Sequence, residues 1–193
     1  MSIKRKFTMK INVEIEKKFE SIGLRYLSRF ETSEKQFLNF LRKKFSKINS
    51  DLKPIEKETI INDILIKMKK MNYIDDNRYS NLKSEKMFNN GTSKRMIKVK
   101  LKEKGIPDDI INNSLDTLLE NNKNDFSSAL IYIKKRKIGI FYQKEFNKKD
   151  NDLLKHKWYG TLARKGFSYD IVKKVLELDD LTEAENIINR IKF

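Results

Sequence analysis

The chain has 193 residues, no cysteine and a single histidine, His156, and its 43 Lys and Arg against 27 Asp and Glu give a net charge of +16. Disulfides and thiolate metal sites are thereby excluded, and a zinc site built on imidazoles is disfavoured. The excess of positive charge favours a polyanionic partner, namely nucleic acid, an acidic protein or an anionic membrane surface. The alternative is AT-rich coding, which raises the Lys, Asn and Ile content together without any functional role.

Hydrophobic residues make up 38% of the chain, which is enough for a folded core. No apolar run approaches the roughly 18 residues of a membrane span, and no apolar stretch follows the basic N-terminus as a signal peptide requires. We therefore expect a cytoplasmic protein without a membrane segment. Only 2 prolines and 6 glycines interrupt the sequence, which predicts few turns and long helices.

The N-terminal segment 1–18 has a pattern of its own. Its apolar side chains alternate with polar ones at the two-residue period of a strand. They are Phe7, Met9, Ile11, Val13 and Ile15. No second strand that would pair with this one is evident in the chain. We interpret the segment as an N-terminal extension, either a short strand or a frayed lead into the first helix.

From Glu14 onward the apolar residues recur mostly at spacings of three and four, which is the period of amphipathic helices and predicts an all-α fold. Residues that can cap helix N-termini stand before several of these stretches. They are Ser33 with Gln36 in the capping-box position, Asp75 or Asp76, Ser93, and Thr182 with Glu185 for a short last helix.

The strongest internal signal is a repeat. Residues 101–115 match residues 162–176 at a constant offset of 61, with six of 15 positions identical where chance gives about one. In each copy we expect a helix to end at a left-handed glycine, Gly105 or Gly166, before the next helix begins. A third, diverged copy begins near Leu41, its turn lengthened by a polar insertion over residues 46–57. One further helix per copy gives three modules of three helices.

Four segments of the chain form an ordered set, namely residues 24–35, 71–79, 91–106 and 158–171. In this order they resemble the opening helix with the second-helix start, the central signature, the middle module and the last module of the RecX family of recombinase regulators. The resemblance covers residues from about 20 to 178. The departures are Asn72 for the usual glycine, Phe30 where a second basic residue is common, the insertion near residue 50 and the tail after residue 178.

The resemblance implies three tandem three-helix, helix-turn-helix-like repeats in an elongated, curved arrangement. We assign residues 19–74, 75–122 and 123–178 to the three repeats and residues 179–193 to a C-terminal helical tail. The resemblance also implies a protein that binds in the groove of a RecA–DNA filament and restrains filament growth, ATP turnover, strand exchange and co-protease activity, in DNA repair and the SOS response.

The expected partners are the RecA filament and single- and double-stranded DNA, and the sequence does not decide whether the DNA is contacted directly or through RecA. We expect no cofactor, no metal, no catalytic activity and a monomeric chain. The alternative is a tandem helical DNA-binding protein that has no recombinase partner.

Positive charge is concentrated in residues 83–104, 134–149 and 155–174. These stretches can be ordinary solvated helix faces, but the four-residue spacing of three lysines along one face favours a contact role. The candidate filament or DNA contacts are Lys94, Arg95, Lys98, Lys102, Arg136 and Lys165. Nearby aromatic residues can stack on bases, although we expect most of them in the core or at corners. They are Tyr132, Phe141, Tyr142 and Phe146.

Two further motifs have simpler explanations. The acidic pair Asp75–Asp76 has no His, Cys or third acid nearby, so we expect helix capping there and no metal site. Residues 90–95 resemble a phosphate loop but lack its second glycine. They offer helix N-terminal amides beside Lys94 and Arg95, which can hold one phosphate or one carboxylate of a partner.

Overall fold

The computed structural model describes residues 3–47, 52–143 and 148–191. Within these ranges the chain forms helices and no strand, which confirms the all-α prediction. The helices are α1 (Ile3–Leu27), α2 (Glu34–Phe45), α3 (Pro54–Lys70), α4 (Asp76–Phe88), α5 (Lys94–Glu103), α6 (Asp108–Glu120), α7 (Asp125–Arg136), a 3₁₀ turn (Gly139–Phe141), α8 (Lys148–Arg164), α9 (Tyr169–Leu176) and α10 (Leu181–Ile191).

The prediction of a possible N-terminal strand is wrong, because α1 is one continuous helix. It crosses residue 18, where the N-terminal extension was predicted to end. A lone strand leaves its backbone N–H and C=O groups without ladder partners, whereas a helix satisfies most of them within the segment. The Glu- and Lys-rich stretch at residues 14–20 also favours a helix. The strand-like alternation is therefore overridden by hydrogen bonding that is local to the segment.

The chain divides into two compact units, one formed by Met1–Tyr79 with Lys104–Ile106 and the other by Ser80–Glu103 with Pro107–Phe193. We call them unit 1 and unit 2. This division into two units does not test the boundaries of the three predicted repeats, which stay a prediction.

The core of unit 1 is formed by the apolar faces of α1, α2 and α3. Phe19 and Phe45 stack with ring centroids 3.4 Å apart, and Phe37 lies fully buried beside them. A Cβ atom on Gly23 would lie 3.0 Å from the Phe37 ring, so the absence of a side chain there lets α1 approach α2 closely. The polar insertion predicted over residues 46–57 is too long, because residues 54–57 form the first turn of α3. Residues 48–51 lie outside the described residues.

Unit 2 is organised around α7, in which every residue from Ser127 to Ile133 is buried. The α7 helix packs against α9 and α10, while α5 packs against α6. The last helix begins at Leu181, where Asp180 accepts hydrogen bonds from the amides of Thr182 (2.8 Å) and Glu183 (3.1 Å). The predicted cap at Thr182 is therefore wrong.

Gly105 and Gly166, the glycines of the sequence repeat, have φ angles of 82° and 86°. Both lie in the left-handed region that side chains disfavour. Space is also short at both positions, because a Cβ on Gly105 would collide with Lys35 and one on Gly166 would lie 2.6 Å from Ser93 Oγ. The two turns therefore require glycine for conformation and for close approach.

Candidate basic contact surfaces

Helices α2 and α5 begin with the same arrangement of hydrogen bonds. Ser33 Oγ and Ser93 Oγ each accept the amide three residues later, at 3.3 Å in both cases. Each hydroxyl also donates to a distant carbonyl, Ser33 to Lys104 (2.7 Å) and Ser93 to Lys165 (2.8 Å). Both serines are fully buried. Through its two hydrogen bonds, each serine joins a helix start to the residue before a left-handed glycine.

The first backbone amide of each of these helices is bound by an aspartate of the chain itself. Glu34 N donates to Asp76 Oδ1 at 2.9 Å, and Lys94 N donates to Asp125 Oδ1 at 2.8 Å. The start of α5 was predicted to offer such amides to a phosphate or to a partner's carboxylate. Asp125 already binds the amide of Lys94, and Ser93 binds that of Met96, so these two amides are not available to a partner.

The acidic pair serves two different helices. Asp75 accepts the amides of Asn77 (2.8 Å) and Arg78 (3.1 Å) and so caps α4. Asp76 is buried and accepts the amide of Glu34 at the start of α2. Burial raises the pKa of the Asp76 carboxyl, and the Glu34 amide acts in the opposite direction. No cluster of three metal-ligating side chains occurs within the described ranges.

Two of the candidate lysines on α5 share one carboxylate. Lys102 Nζ lies 2.9 Å and Lys98 Nζ 3.6 Å from Asp108 Oδ1, and Lys98 also donates to Asn112 Oδ1 at 3.1 Å. Lys102 holds the pKa of the Asp108 carboxyl below its ordinary value, and Lys98 acts in the same direction. The group is exposed and carries one positive charge in excess. Exposed ion pairs are weak, so a phosphate can compete for these lysines.

Two of the other candidates lie near one aromatic ring, and two stand in the first turn of α5. Arg136 Cζ lies 5.9 Å and Lys165 Nζ 5.3 Å from the centroid of the buried Tyr132 ring. The carbonyl of Lys165 binds Ser93, which directly precedes Lys94 and Arg95. We call Lys94, Arg95, Arg136 and Lys165 the basic corner.

Exposure differs among these cations. The Arg95 and Arg136 side chains are exposed, whereas that of Lys94 is half-buried. Burial lowers the pKa of the Lys94 ammonium, against the opposing effect of Asp125 and Asp116. The exposed guanidinium groups are therefore the better contacts for a partner's phosphate or carboxylate.

The described aromatic residues near the second basic stretch are buried or half-buried. Tyr132 is buried, and Phe141 is half-buried with Lys134 Nζ 5.6 Å from its ring centroid. Tyr142 lies against Trp158, with ring centroids 5.4 Å apart. Phe146 lies outside the described residues.

One surface was not predicted from the sequence. It is an open groove in unit 1 of about 350 Å³, which we call the aromatic–basic groove. Its lining residues are Ile22, Arg25, Tyr26, Arg29, Phe30, Phe40 and Lys44. The sequence signals for this groove are two four-residue spacings. Arg25 on α1 is followed by Arg29 just after that helix, and Phe40 is followed by Lys44 on α2. Neither pattern reveals that α1 and α2 bring the two pairs together.

In the part of the chain that the structure describes, no helix has the length and apolar character needed to cross a membrane.

Two family models match the chain. The model described as "RecX, second three-helix domain" matches residues 75–115, and the one described as "RecX, third three-helix domain" matches residues 142–176. The first match spans α4 and α5 and extends into α6, and the second ends at the last residue of α9.

Several curated relatives carry the name "Regulatory protein RecX". The one from Myxococcus xanthus is 25% identical over 161 residues, covering 82% of this chain and 83% of the relative. The one from Finegoldia magna is 31% identical over 156 residues, covering 80% and 68%. The one from Streptococcus uberis is 30% identical over 177 residues, covering 88% and 59%.

Solved structures show the same fold. A crystal structure of a regulatory protein RecX superimposes with a TM-score of 0.64 at 19% identity, covering 92% of this chain and 79% of that one. The crystal structure of RecX from Lactobacillus salivarius gives a TM-score of 0.57 at 24% identity, covering 88% and 99%.

Proposed function

The chain belongs to the RecX family of regulatory proteins, and from that premise we propose that it binds the RecA nucleoprotein filament in the cytoplasm and restrains the recombinase. The restraint extends to ATP turnover, strand exchange and the co-protease activity of the filament, in DNA repair and the SOS response. The protein acts by occupying a surface and catalyses no reaction. Linked helical modules would contact neighbouring RecA subunits and DNA phosphates, so that modest contacts add through a high effective concentration.

The observation that supports this proposal best is the basic corner. Two of its cations, Arg136 at the end of α7 and Lys165 in the turn after α8, lie beside the Tyr132 ring. The other two, Lys94 and Arg95, follow Ser93, which is hydrogen-bonded to the Lys165 carbonyl. A filament that presents phosphates and carboxylates along a groove is a partner of complementary charge.

The test is RecA-dependent ATP hydrolysis on single-stranded DNA, titrated with this protein. We expect the wild-type protein to lower hydrolysis. The Arg136→Gln/Lys165→Gln variant should need about tenfold more protein for half-inhibition, because losing two charge-assisted contacts exceeds about 1.4 kcal/mol.

The control variant Lys17→Gln/Lys70→Gln removes the same charge from exposed sites in unit 1 and should shift half-inhibition less than about twofold. Unchanged hydrolysis and strand exchange at saturating wild-type protein would contradict the regulatory role. Equal effects of the two double variants would contradict the assignment of the basic corner.

A second candidate function is a DNA-binding protein with no recombinase partner, which the net charge of +16 favours. It predicts the same affinity for bare and RecA-coated strands, with a steep salt dependence. A pulldown that compares RecA filaments, free RecA and free DNA separates the two functions. Preferential capture of filaments supports the regulator, and equal capture of bare and coated DNA supports the alternative.

A further inference from the structure

The aromatic–basic groove of unit 1 has the chemistry of a nucleotide-binding surface. We propose that it binds an unpaired nucleotide of a single-stranded nucleic acid, with the base stacked on Phe30 and the adjoining phosphates held by Arg25, Arg29 and Lys44. This site is separate from the basic corner, and it requires no recombinase.

The aromatic side of the groove is a stacked pair of rings with a third, exposed ring beside it. The Tyr26 and Phe40 rings are nearly parallel, with centroids 4.0 Å apart and an interplanar angle of 15°. The Phe30 ring is tilted by 41° against that of Tyr26, with centroids 5.2 Å apart, and 55% of the Phe30 surface is exposed. A large apolar ring left exposed beside such a pair loses hydrophobic stabilisation unless another flat group covers it. A nucleic-acid base is such a group.

The basic side of the groove is not neutralised by the chain. Among the described residues, Arg25, Arg29 and Lys44 form no ion pair, and no carboxylate lines the groove. Lys44 Nζ lies 5.5 Å from the centroid of Phe40, so this cation sits beside the stack. Three cations and no acid around an aromatic stack make a surface of complementary charge to a sugar–phosphate backbone.

Acidic residues of unit 1 are held by other cations. Glu20 pairs with Lys67 at 2.6 Å, and Glu31 pairs with Arg78 at 2.9 Å. Glu34 pairs with Lys69 at 2.5 Å. These carboxylates are therefore engaged away from the groove, and its positive charge stays available to an anion.

The strand has to be unpaired. In a duplex both faces of each base are covered by neighbouring base pairs, whereas a single strand can turn one base onto an aromatic ring. The groove volume of about 350 Å³ is at the small end of ligand sites, which fits one nucleotide unit. An acidic peptide would use the cations but leave the exposed face of Phe30 without a function.

The first experiment measures binding of a fluorescein-labelled 12-mer of thymidine and of an abasic 12-mer with the same phosphates, without RecA. We expect the wild-type protein to prefer the thymidine strand. Phe30→Ala should weaken thymidine binding about tenfold, since base stacking on a ring is worth about 1–3 kcal/mol, and should leave abasic binding unchanged.

Tyr73→Ala is the matched control, because Tyr73 is an exposed aromatic residue of unit 1 (50% exposed) outside the groove. It should change neither affinity. Equal affinity of the wild-type protein for the two strands, or the same loss for both strands in Phe30→Ala, would overturn the proposal and favour a purely electrostatic contact or an acidic protein partner.

The second experiment locates the contact. A single 5-iodouracil in the thymidine 12-mer is photocrosslinked to the full-length protein, and the tryptic peptides are analysed by mass spectrometry. We expect the crosslink on peptide 30–35, which trypsin releases after Arg29, and its loss in Phe30→Ala. A crosslink found only at the basic corner would overturn the proposal.

Discussion

Asp76 is a buried carboxylate whose partner is a backbone amide and whose pKa is raised by burial. A carboxyl with a higher pKa in the folded state than in the unfolded state binds its proton more tightly when folded. The stability that this gives is fully present below the unfolded pKa and is lost as the pH rises through the folded pKa. The side chain is therefore retained for its hydrogen bond to Glu34, against an electrostatic cost at neutral pH.

The Asp76→Asn variant should abolish this pH dependence, because the amide oxygen can still accept the Glu34 N–H without carrying a charge. We expect the free energy of unfolding of the variant to rise relative to that of the wild type between acid and neutral pH. Urea denaturation across this range measures the difference. As a control, Asp63→Asn removes an exposed carboxylate from α3. If the free energy of unfolding of the wild type rises relative to that of Asp76→Asn as the pH rises, the pKa of Asp76 is not raised in the folded state.

A single residue also shows where the sequence was not informative. Asn72, where the related pattern has glycine, adopts a φ of 57°. Asn is among the side chains that tolerate the left-handed region, so the turn survives the change. From the sequence Asn72 was only a departure from the family pattern, and its conformation was not predicted.

At the scale of the elements, the caps on α2 and α5 were predicted from serines before apolar stretches, and both serines cap their helices. Their second partners were not predicted. The carbonyls of Lys104 and Lys165 lie 71 and 72 residues further along the chain. Pattern analysis detects neighbours within about one helical turn, and only the folded chain brings such distant groups together.

The Ser93→Ala variant removes both the helix cap and the hydrogen bond to Lys165. We expect it to lower the free energy of unfolding by about 2–3 kcal/mol, since the half-buried Lys165 also loses the donor to its carbonyl. Ser168→Ala is the matched control, because Ser168 is exposed and its hydroxyl caps α9 by accepting the Ile171 amide at 3.4 Å.

In the control variant the free energy of unfolding should fall by about 1 kcal/mol or less. Chemical denaturation of both variants gives the comparison. Equal losses would show that the bond to Lys165 adds no stability.

The repeat extends further than the sequence comparison indicated. Asp75 caps α4 and Asp76 binds the start of α2, while Asn124 caps α7 and Asp125 binds the start of α5. The two pairs were not aligned in the sequence because the intervening segments differ in length. Equivalent contacts therefore identify the duplication where residue identity is weak.

At the scale of the whole molecule, composition predicted an excess of positive charge but not its distribution. The sequence places Lys94, Lys98 and Lys102 at regular spacing, yet the last two share Asp108 while the first lies at the other end of α5. The aromatic–basic groove was missed for the same reason, since its members come from separate helices. Which charges are free depends on tertiary packing, and a sequence pattern does not report it.

Neutralising Asp108 should strengthen polyanion binding. Asp108→Asn releases Lys98 and Lys102, so we expect about two- to fivefold tighter DNA binding and a salt dependence steeper by about one unit of log–log slope. Asp109→Asn makes the same change of charge at the neighbouring exposed position.

Fluorescence anisotropy over a series of salt concentrations measures both variants. Identical slopes for Asp108→Asn and Asp109→Asn would indicate that the two lysines do not touch DNA.

Two of the hydrogen bonds at the start of α2 depend on residues far along the chain. Glu34 N has its acceptor at Asp76, and Ser33 Oγ has its acceptor at Lys104. A chain that emerges from the ribosome in order therefore presents α1, α2 and α3 before either partner exists. The local cap of Ser33 on the Gln36 amide can form at once, whereas the bond to Lys104 forms only after synthesis has passed that residue.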